Sequence, residues 1–339
     1  MIRRVLMWTG ALLVAALVAG LNFYRLPVVT LLPGPVEDVV PQIKVTGGTK
    51  VYDASGHLYL TTVGVDDRVN FYEALLDFAD RDVQVVPRAS IFPEDQTGQE
   101  IDLQNAAEMD SSKLAATVVG LRESGYDVDT KPDGVRVVGV VENGAATGKL
   151  QPEDRILAVG GVKVTSADEL RAQLAKAPIG GKLKLEVQRK SQKHDVEVTP
   201  RAAPSGPRRP YIGISLADIF DFPVDLNIET KNIGGPSAGL MFSLSIVEKL
   251  GPEDLTGDRR IAGTGTVDVD GTVGPIGGIR QKLIAAKRMG ATVFLLPKDN
   301  EVEARQSPPR GLLLVPVTNV DEALSWMRTT RNATAAAKP

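Results

Sequence analysis

The sequence has 339 residues, of which 43% are hydrophobic and 24% charged, and its net charge is −3; it can build a core and offers no basic surface for nucleic acid. It contains no cysteine, which excludes thiol catalysis, disulfides and thiolate metal sites. Its two histidines, His57 and His194, are too far apart for a helical zinc-protease motif, and no GxxxxGK[ST] phosphate loop occurs.

Arg3 and Arg4 precede an apolar run, Val5 to Leu21, and no charge appears until Arg25. That length suits a helix crossing a bilayer, which takes about 20 apolar residues. Basic residues before the run place the start in the cytoplasm and everything from about Arg25 outside. Residues 1–25 therefore read as a cytoplasmic start and one transmembrane anchor, making a single-pass protein of the cell membrane with the rest of the chain extracytoplasmic. The alternative is a cleaved signal peptide, with small residues at Ala15–Gly20; both readings export the rest of the chain.

Leu26–Pro41 is rich in Pro and Gly and reads as an extended entry segment. Strand-like runs follow at Gln42–Val45 and Leu58–Val63. Helical patterns come next at Val69–Phe78 and Gln104–Glu123, the second with Ala107, Leu114, Val118 and Leu121 on one side. From Gly134 the texture turns β-rich. Val135, Val137 and Val140 begin a strand, and NGAATGKLQPEDRILAVGGVKV reads as turn, strand, Gly-Gly turn and strand. Ser166-Ala-Asp-Glu169 is a capping box opening a helix to about Ala177. Strands at Lys182–Arg189 and Asp195–Thr199 complete the unit. Residues 122–201 resemble a PDZ domain on these segments, which implies capture of protein or peptide substrates. For the carboxylate-binding loop of such domains only Ser124-Gly125-Tyr126 offers a counterpart, so internal segments or loosely held tails are the expected ligands.

Residues 202–210 (AAPSGPRRP) read as a linker. Beyond it the pattern predicts a buried helix at Ser237–Leu250, strand and turn over Ile261–Val273, and a helix at Gly278–Met289. Strands at Thr292–Leu296 and Gly311–Val317 and a short helix at Val320–Met327 follow, with 328–339 as a disordered tail.

Two segments carry candidate chemistry. In Gly234-Gly235-Pro236-Ser237-Ala238-Gly239 the glycines allow a sharp turn, and the serine falls at the N-terminus of an apolar helix whose dipole favours a developing oxyanion. A serine capping a core helix is the plainer alternative. In the helix after Gly277-Gly278, Lys282 shares a face with Ile279, Leu283 and Ala286, whereas Arg280, Lys287 and Arg288 point away. Burial there would lower its pKa and let a neutral amine accept a proton; a lysine snorkelling from the edge of the face is the alternative.

GGPSAG followed by the lysine of PIGGIRQKLIAAKRMGA is similar to the proteolytic domain of Lon-type Ser-Lys proteases, and LPKDNEVEA, VPVTNVDEAL and, more weakly, EMDSSKLAA resemble the same domain. The whole chain resembles bacterial membrane-anchored, PDZ-containing Lon-like proteases. The resemblance implies an α+β fold: a Lon-type proteolytic domain split by an inserted PDZ-like β-rich domain and preceded by one transmembrane helix. Its N-terminal part would span 36–121 and its catalytic part 211–327. It further implies an ATP-independent serine endopeptidase acting on exported or membrane-associated proteins, with Ser237 as nucleophile, Lys282 as general base and Thr264 orienting the lysine. No cofactor or metal is implied, and a homo-oligomer is. Gly234 departs from the family, many of whose members place an acidic residue there. Two other readings stay open. One is a catalytically inactive exported PDZ scaffold or adaptor. The other is a trypsin-like PDZ protease, for which neither histidine has a fitting context.

Overall fold

The computed structural model describes Trp8, Gly20 and residues 22–92, 98–129, 131–203, 208–230 and 233–336, with side chains to residue 331. The first part of the chain forms β1 (Val28–Asp38), β2 (Ile43–Val45), β3 (His57–Asp66), α1 (Phe71–Ala79), β4 (Gln84–Pro87) and α2 (Gly98–Glu123). The inserted unit follows with β5 (Gly134–Val140), β6 (Arg155–Val159), β7 (Val162–Lys163), α3 (Ala167–Leu174), β8 (Leu183–Arg189), β9 (Gln192–Val198) and β10 (Arg201–Ala202). The last part comprises β11 (Pro210–Tyr211), β12 (Ile214–Ile219), β13 (Leu226–Ile228), α4 (Gly239–Leu250), β14 (Arg260–Gly263), β15 (Thr266–Val267), β16 (Val273–Gly274), α5 (Ile279–Arg288), β17 (Val293–Pro297), α6 (Glu301–Ala304), β18 (Leu313–Val317) and α7 (Val320–Ala336).

Strands from before and after the insertion share one mixed sheet, ordered β18-β17-β14-β3-β1-β4. β14 lies parallel to both β3 and β17, with Leu58 opposite Ile261 and Ile261 opposite Val293. Side chains alternate across this sheet. Leu58, Leu60, Ile261, Val293 and Leu295 enter a core with α2, α4 and α7, whereas Tyr59, Ala262, Phe294 and Leu296 enter a second core with α5. Both faces are covered, which is why β17 reads as a continuous apolar run with every residue buried. α4 sits deep in the first core, with Leu240, Met241, Phe242, Leu244 and Ile246 fully buried.

The second sheet, ordered β12-β5-β6-β8-β9 with β7 on β6, has its own core of Val135, Val137, Ile156, Leu170, Leu185 and Val187. Its edge strand β12 comes from beyond the linker, in the stretch that the sequence pattern attaches to the catalytic part. The pairing runs Ile214 opposite Val140 through to Ile219 opposite Gly134. Conversely, Tyr126 and Val128, just after α2, pack on the larger core. Ser124-Gly125-Tyr126 closes α2, the Tyr126 N–H donating to the carbonyl of Leu121. β10 and β11 pair across the linker, Arg201 opposite Tyr211.

Three further expectations are corrected. Among the described residues no helix is long and apolar enough to cross a membrane, so the transmembrane helix of the expected fold is not seen. α2, the longest helix, is interrupted by polar and charged residues along its first half, and the apolar α4 has only 12 residues, about 18 Å against a hydrocarbon layer of about 30 Å. Of the Val5–Leu21 run itself only Trp8 and Gly20 are described, and the remainder lies outside the described residues. The last helix does not stop at Met327 but runs to Ala336, because Arg328 and Arg331 both pair with Glu253 and Arg331 also donates to the carbonyl of Asp254. Finally, α4 begins at Gly239 with Ala238 as its N-cap, so Ser237 stands in the turn ahead of the helix.

Candidate active site

The turn that carries Ser237 is built by α2 and β14. Gly235 adopts φ +83°, a left-handed conformation that suits glycine, and its N–H donates to the carbonyl of Asn105 at 3.0 Å. The buried Ser112 hydroxyl donates to the carbonyl of Pro236 at 2.9 Å. The carbonyl of Ser237 itself accepts from the Gly265 N–H at 2.9 Å and from the Thr264 hydroxyl at 3.0 Å. Both donors follow directly on β14, so the central sheet fixes the height of the serine. The N-cap of α4 is Ala238, so Ser237 is not the helix's capping residue.

Lys282 reaches the same point from the opposite face of the sheet. Gly278, the N-cap of α5, has φ +65°, and a Cβ there would stand 2.6 Å from a methyl of Val63; the helix thus starts hard against β3. One turn on, Lys282 is 3% exposed, as buried as its helix neighbours Ile279 and Leu283. Its Nζ lies 2.7 Å from Ser237 Oγ and 2.9 Å from Thr264 Oγ1. Burial lowers the lysine pKa from 10.5 to about 7. Among the described residues no charged neighbour opposes this, burial being its cause. Among the described residues the amine's hydrogen-bond partners are the two hydroxyls. Near neutral pH such an amine is substantially uncharged and can take the proton of the serine hydroxyl.

All three sequence-derived candidates, Ser237, Lys282 and Thr264, converge at one place. Ser237 and Lys282 open onto a cavity of about 470 Å³ lined on its apolar side by Leu60, Val63, Met109 and Ile276. Neither histidine lines that cavity. His57 bonds Asp38 at 2.7 Å and stacks on Tyr59 at the start of β3, and His194 is exposed on β9. A Ser-His-Asp arrangement at Ser237 is therefore not formed. Sequence reasoning passes over Asn105 and Ser112, which pin the serine turn from α2. The one available signal for Ser112 is a small polar residue on the apolar side of a long helix, where its hydroxyl needs a partner.

Residues 230–328 match the model of the Lon protease (S16) C-terminal proteolytic domain, and residues 112–199 match a PDZ domain model. The Lon protease of Rickettsia bellii is 35% identical over 117 residues, 33% of this chain and 15% of that protein. Lon protease 3 of Sorangium cellulosum is 34% identical over 186 residues, 52% of this chain and 22% of that protein. The matched part is thus a small fraction of these relatives' length. The crystal structure of the PDZ domain of an SdrC-like protein from Listeria monocytogenes is 24% identical, covering 26% of this chain and 93% of that one, with a TM-score of 0.24. The chain is thus similar to a Lon protease proteolytic domain over its last third and to a PDZ domain ahead of it.

Proposed function

We propose that the protein is an endopeptidase that cleaves peptide bonds with Ser237 as nucleophile and Lys282 as general base, needs no nucleotide, and uses its PDZ-like unit to hold peptide or protein substrates. The observation that carries this reading is the 2.7 Å separation of Lys282 Nζ and Ser237 Oγ in surroundings that hold the lysine near pKa 7. The neutral amine takes the hydroxyl proton as Oγ attacks the scissile carbonyl carbon. The resulting ammonium returns the proton to the leaving amine, and an ester to Ser237 remains. Water, deprotonated by the same amine, then releases the acid product and restores the serine. The positive end of α4 faces the turn where the oxyanion develops. Thr264 orients the amine. Independence from ATP is supported by the lack of any phosphate-loop motif in the 339 residues.

The test is a pair of variants, Ser237→Ala and Lys282→Ala, assayed on an unfolded protein without nucleotide, together with labelling by a fluorophosphonate. Groups that act as a unit lose nearly everything when either is removed, so both variants should be inactive and the wild-type label should map to Ser237. Undiminished turnover in either variant, or wild-type protein that neither cleaves nor labels, would sink the proposal; the second outcome would leave a binding scaffold.

A further inference from the structure

α2 is 26 residues long, about 39 Å, and packs on both the inserted unit and the turn that carries Ser237. Toward the inserted unit, Leu103 closes so tightly on Gly139 of β5 that a Cβ on the glycine would overlap it. The Asp110 carboxylate accepts from the Arg136 guanidinium of the same strand at 2.6 Å, and both side chains are largely buried. Arg136 is itself fixed within the unit, because it also donates to Glu153 at 2.8 Å. Gln99 accepts from the Glu142 N–H at 3.1 Å, and Glu100 from the Tyr211 hydroxyl at 3.3 Å. Toward the serine turn, the Asn105 carbonyl holds the Gly235 N–H, and the buried Ser112 hydroxyl holds the Pro236 carbonyl.

The spacing explains how one helix serves both neighbours. Leu103 and Asp110 are about two turns apart and share one side, and Asn105 and Ser112 are related in the same way. The second pair follows the first by two residues, a rotation of about 200°, and so lies on the opposite side of the helix. β5 and the serine turn therefore grip opposite sides of the same stretch of α2. That stretch contains neither glycine nor proline, so it behaves as a stiff spacer between them. A hydrogen bond between charged groups is stronger than a neutral one, which makes the Arg136–Asp110 pair the firmest of the grips from the side of the inserted unit.

We propose that α2 transmits the placement of the inserted unit to the nucleophile: Asp110, held by Arg136, and Ser112 are positioning residues for Ser237. The ion pair sets where α2 lies, and Ser112 with the Asn105 carbonyl passes that setting to the turn. Without the pair α2 shifts, and Ser237 Oγ leaves its 2.7 Å approach to Lys282 Nζ. A small displacement of a reacting atom is costly to the rate even when the change lies far from the chemistry. The inserted unit then contributes to the chemical step beside the binding role proposed for it. This assignment rests on the reading of Ser237 as the nucleophile.

The test uses the full chain with Asp110→Asn, Ser112→Ala and the two combined. Asp110→Asn leaves Arg136 paired with Glu153, so it creates no unpartnered charge. Each single change should lower kcat on a peptide substrate, and the rate of fluorophosphonate labelling at Ser237, by roughly threefold to tenfold. KM and the pH midpoint of kcat/KM should not move. Both residues act through one turn, so the double variant should lose little more than the worse single one. Amide hydrogen exchange in a peptide spanning Gly234–Ala238 should speed up in Asp110→Asn. Unchanged labelling or exchange in Asp110→Asn, losses that multiply in the double variant, or a loss confined to KM would each overturn the coupling. If Asp110→Asn does not fold, Arg136→Met cuts the same contact from the other side and is read in the same way. Should Ser237 not be the nucleophile, wild-type protein fails to label while exchange at the turn still responds to Asp110→Asn, so the two failures are separable.

Discussion

The Thr264 hydroxyl donates to the carbonyl oxygen of Ser237 at 3.0 Å. Its proton being committed there, it meets Lys282 Nζ, 2.9 Å away, as an acceptor only. One N–H of the amine is thereby tied down, and the nitrogen lone pair is left to face Ser237 Oγ. Thr264→Val keeps the shape and removes both bonds. Once the amine has taken the serine proton, its hydrogen bond to Thr264 is one to a charged group, worth about 1.5–3 kcal/mol, so kcat should fall roughly tenfold or more with KM little altered, whereas Thr264→Ser should keep most of the rate. Steady-state kinetics on a peptide substrate decide it, and a Val variant as fast as wild type would remove the orienting role.

The Lys282 pKa fixes two pH dependences. The catalytic one has kcat/KM rising with pH and levelling above about 7, where the amine is neutral. The stability one follows from linkage. Between about 7 and 10.5 the unfolded chain holds a proton that the folded protein has released, so this residue makes stability rise with pH across that window. Lys282→Met removes this contribution while filling the same space. Urea unfolding at several pH values should give a shallower rise for the variant than for wild type between 7 and 10, and parallel curves would contradict the depressed pKa.

Glu248, near the C-terminal end of α4, gives the opposite slope at lower pH. It is 2% exposed and accepts from the Leu255 N–H at 2.9 Å and the Thr256 hydroxyl at 3.1 Å. Burial raises its pKa from 4.5 to about 7. Between those values the unfolded chain loses a proton that the folded protein keeps. The stability this group contributes is therefore full below about 4.5 and is lost as pH rises to about 7. Glu248→Gln should abolish that decline, so its stability relative to wild type should be greater at pH 8 than at pH 5. A stability difference that does not vary with pH would show that Glu248 ionises normally.

Gly278→Ala should destabilise the fold and displace the lysine together. The backbone φ of +65° is strained for alanine, and the new methyl would meet Val63 at 2.6 Å. A loss of about 1–3 kcal/mol, read from thermal or urea unfolding, should accompany a fall in kcat. Wild-type stability in this variant would mean that α5 can start elsewhere.

Ser237 and Lys282 each stand out locally, one after a Gly-Gly-Pro turn and the other as the lone cation on an apolar helix face, but their pairing rests on the resemblance to the Lon-type domain. Thr264 carries no such local mark, and only the family resemblance points to it. What escapes sequence reasoning depends on pairing between distant segments. β12 looks like the start of the catalytic part because the linker precedes it, yet its partner is β5 on the far side of that linker. The signal available is Ile212-Gly213-Ile214, where Gly213 at φ +74° lets the chain turn closely past Gly144 into the strand. The helix running on to Ala336 is likewise invisible locally, since its polar last turns are held by Glu253 and Asp254 rather than by any apolar pattern of their own.

The pairing of β12 with β5 also bears on how the chain folds. The central sheet joins β3 to β14, and the Thr61 hydroxyl donates to the Gly263 carbonyl across a sequence separation of 202 residues. Closing so long a loop is entropically costly and slow. The inserted sheet brings Gly134 and Ile219 side by side, so once that unit has folded the two arms of the proteolytic domain leave it from adjacent points and the effective loop is far shorter. The PDZ-like unit would thus serve as the splint on which the two arms of the proteolytic domain, β3 from before it and β14 from after it, are brought into register.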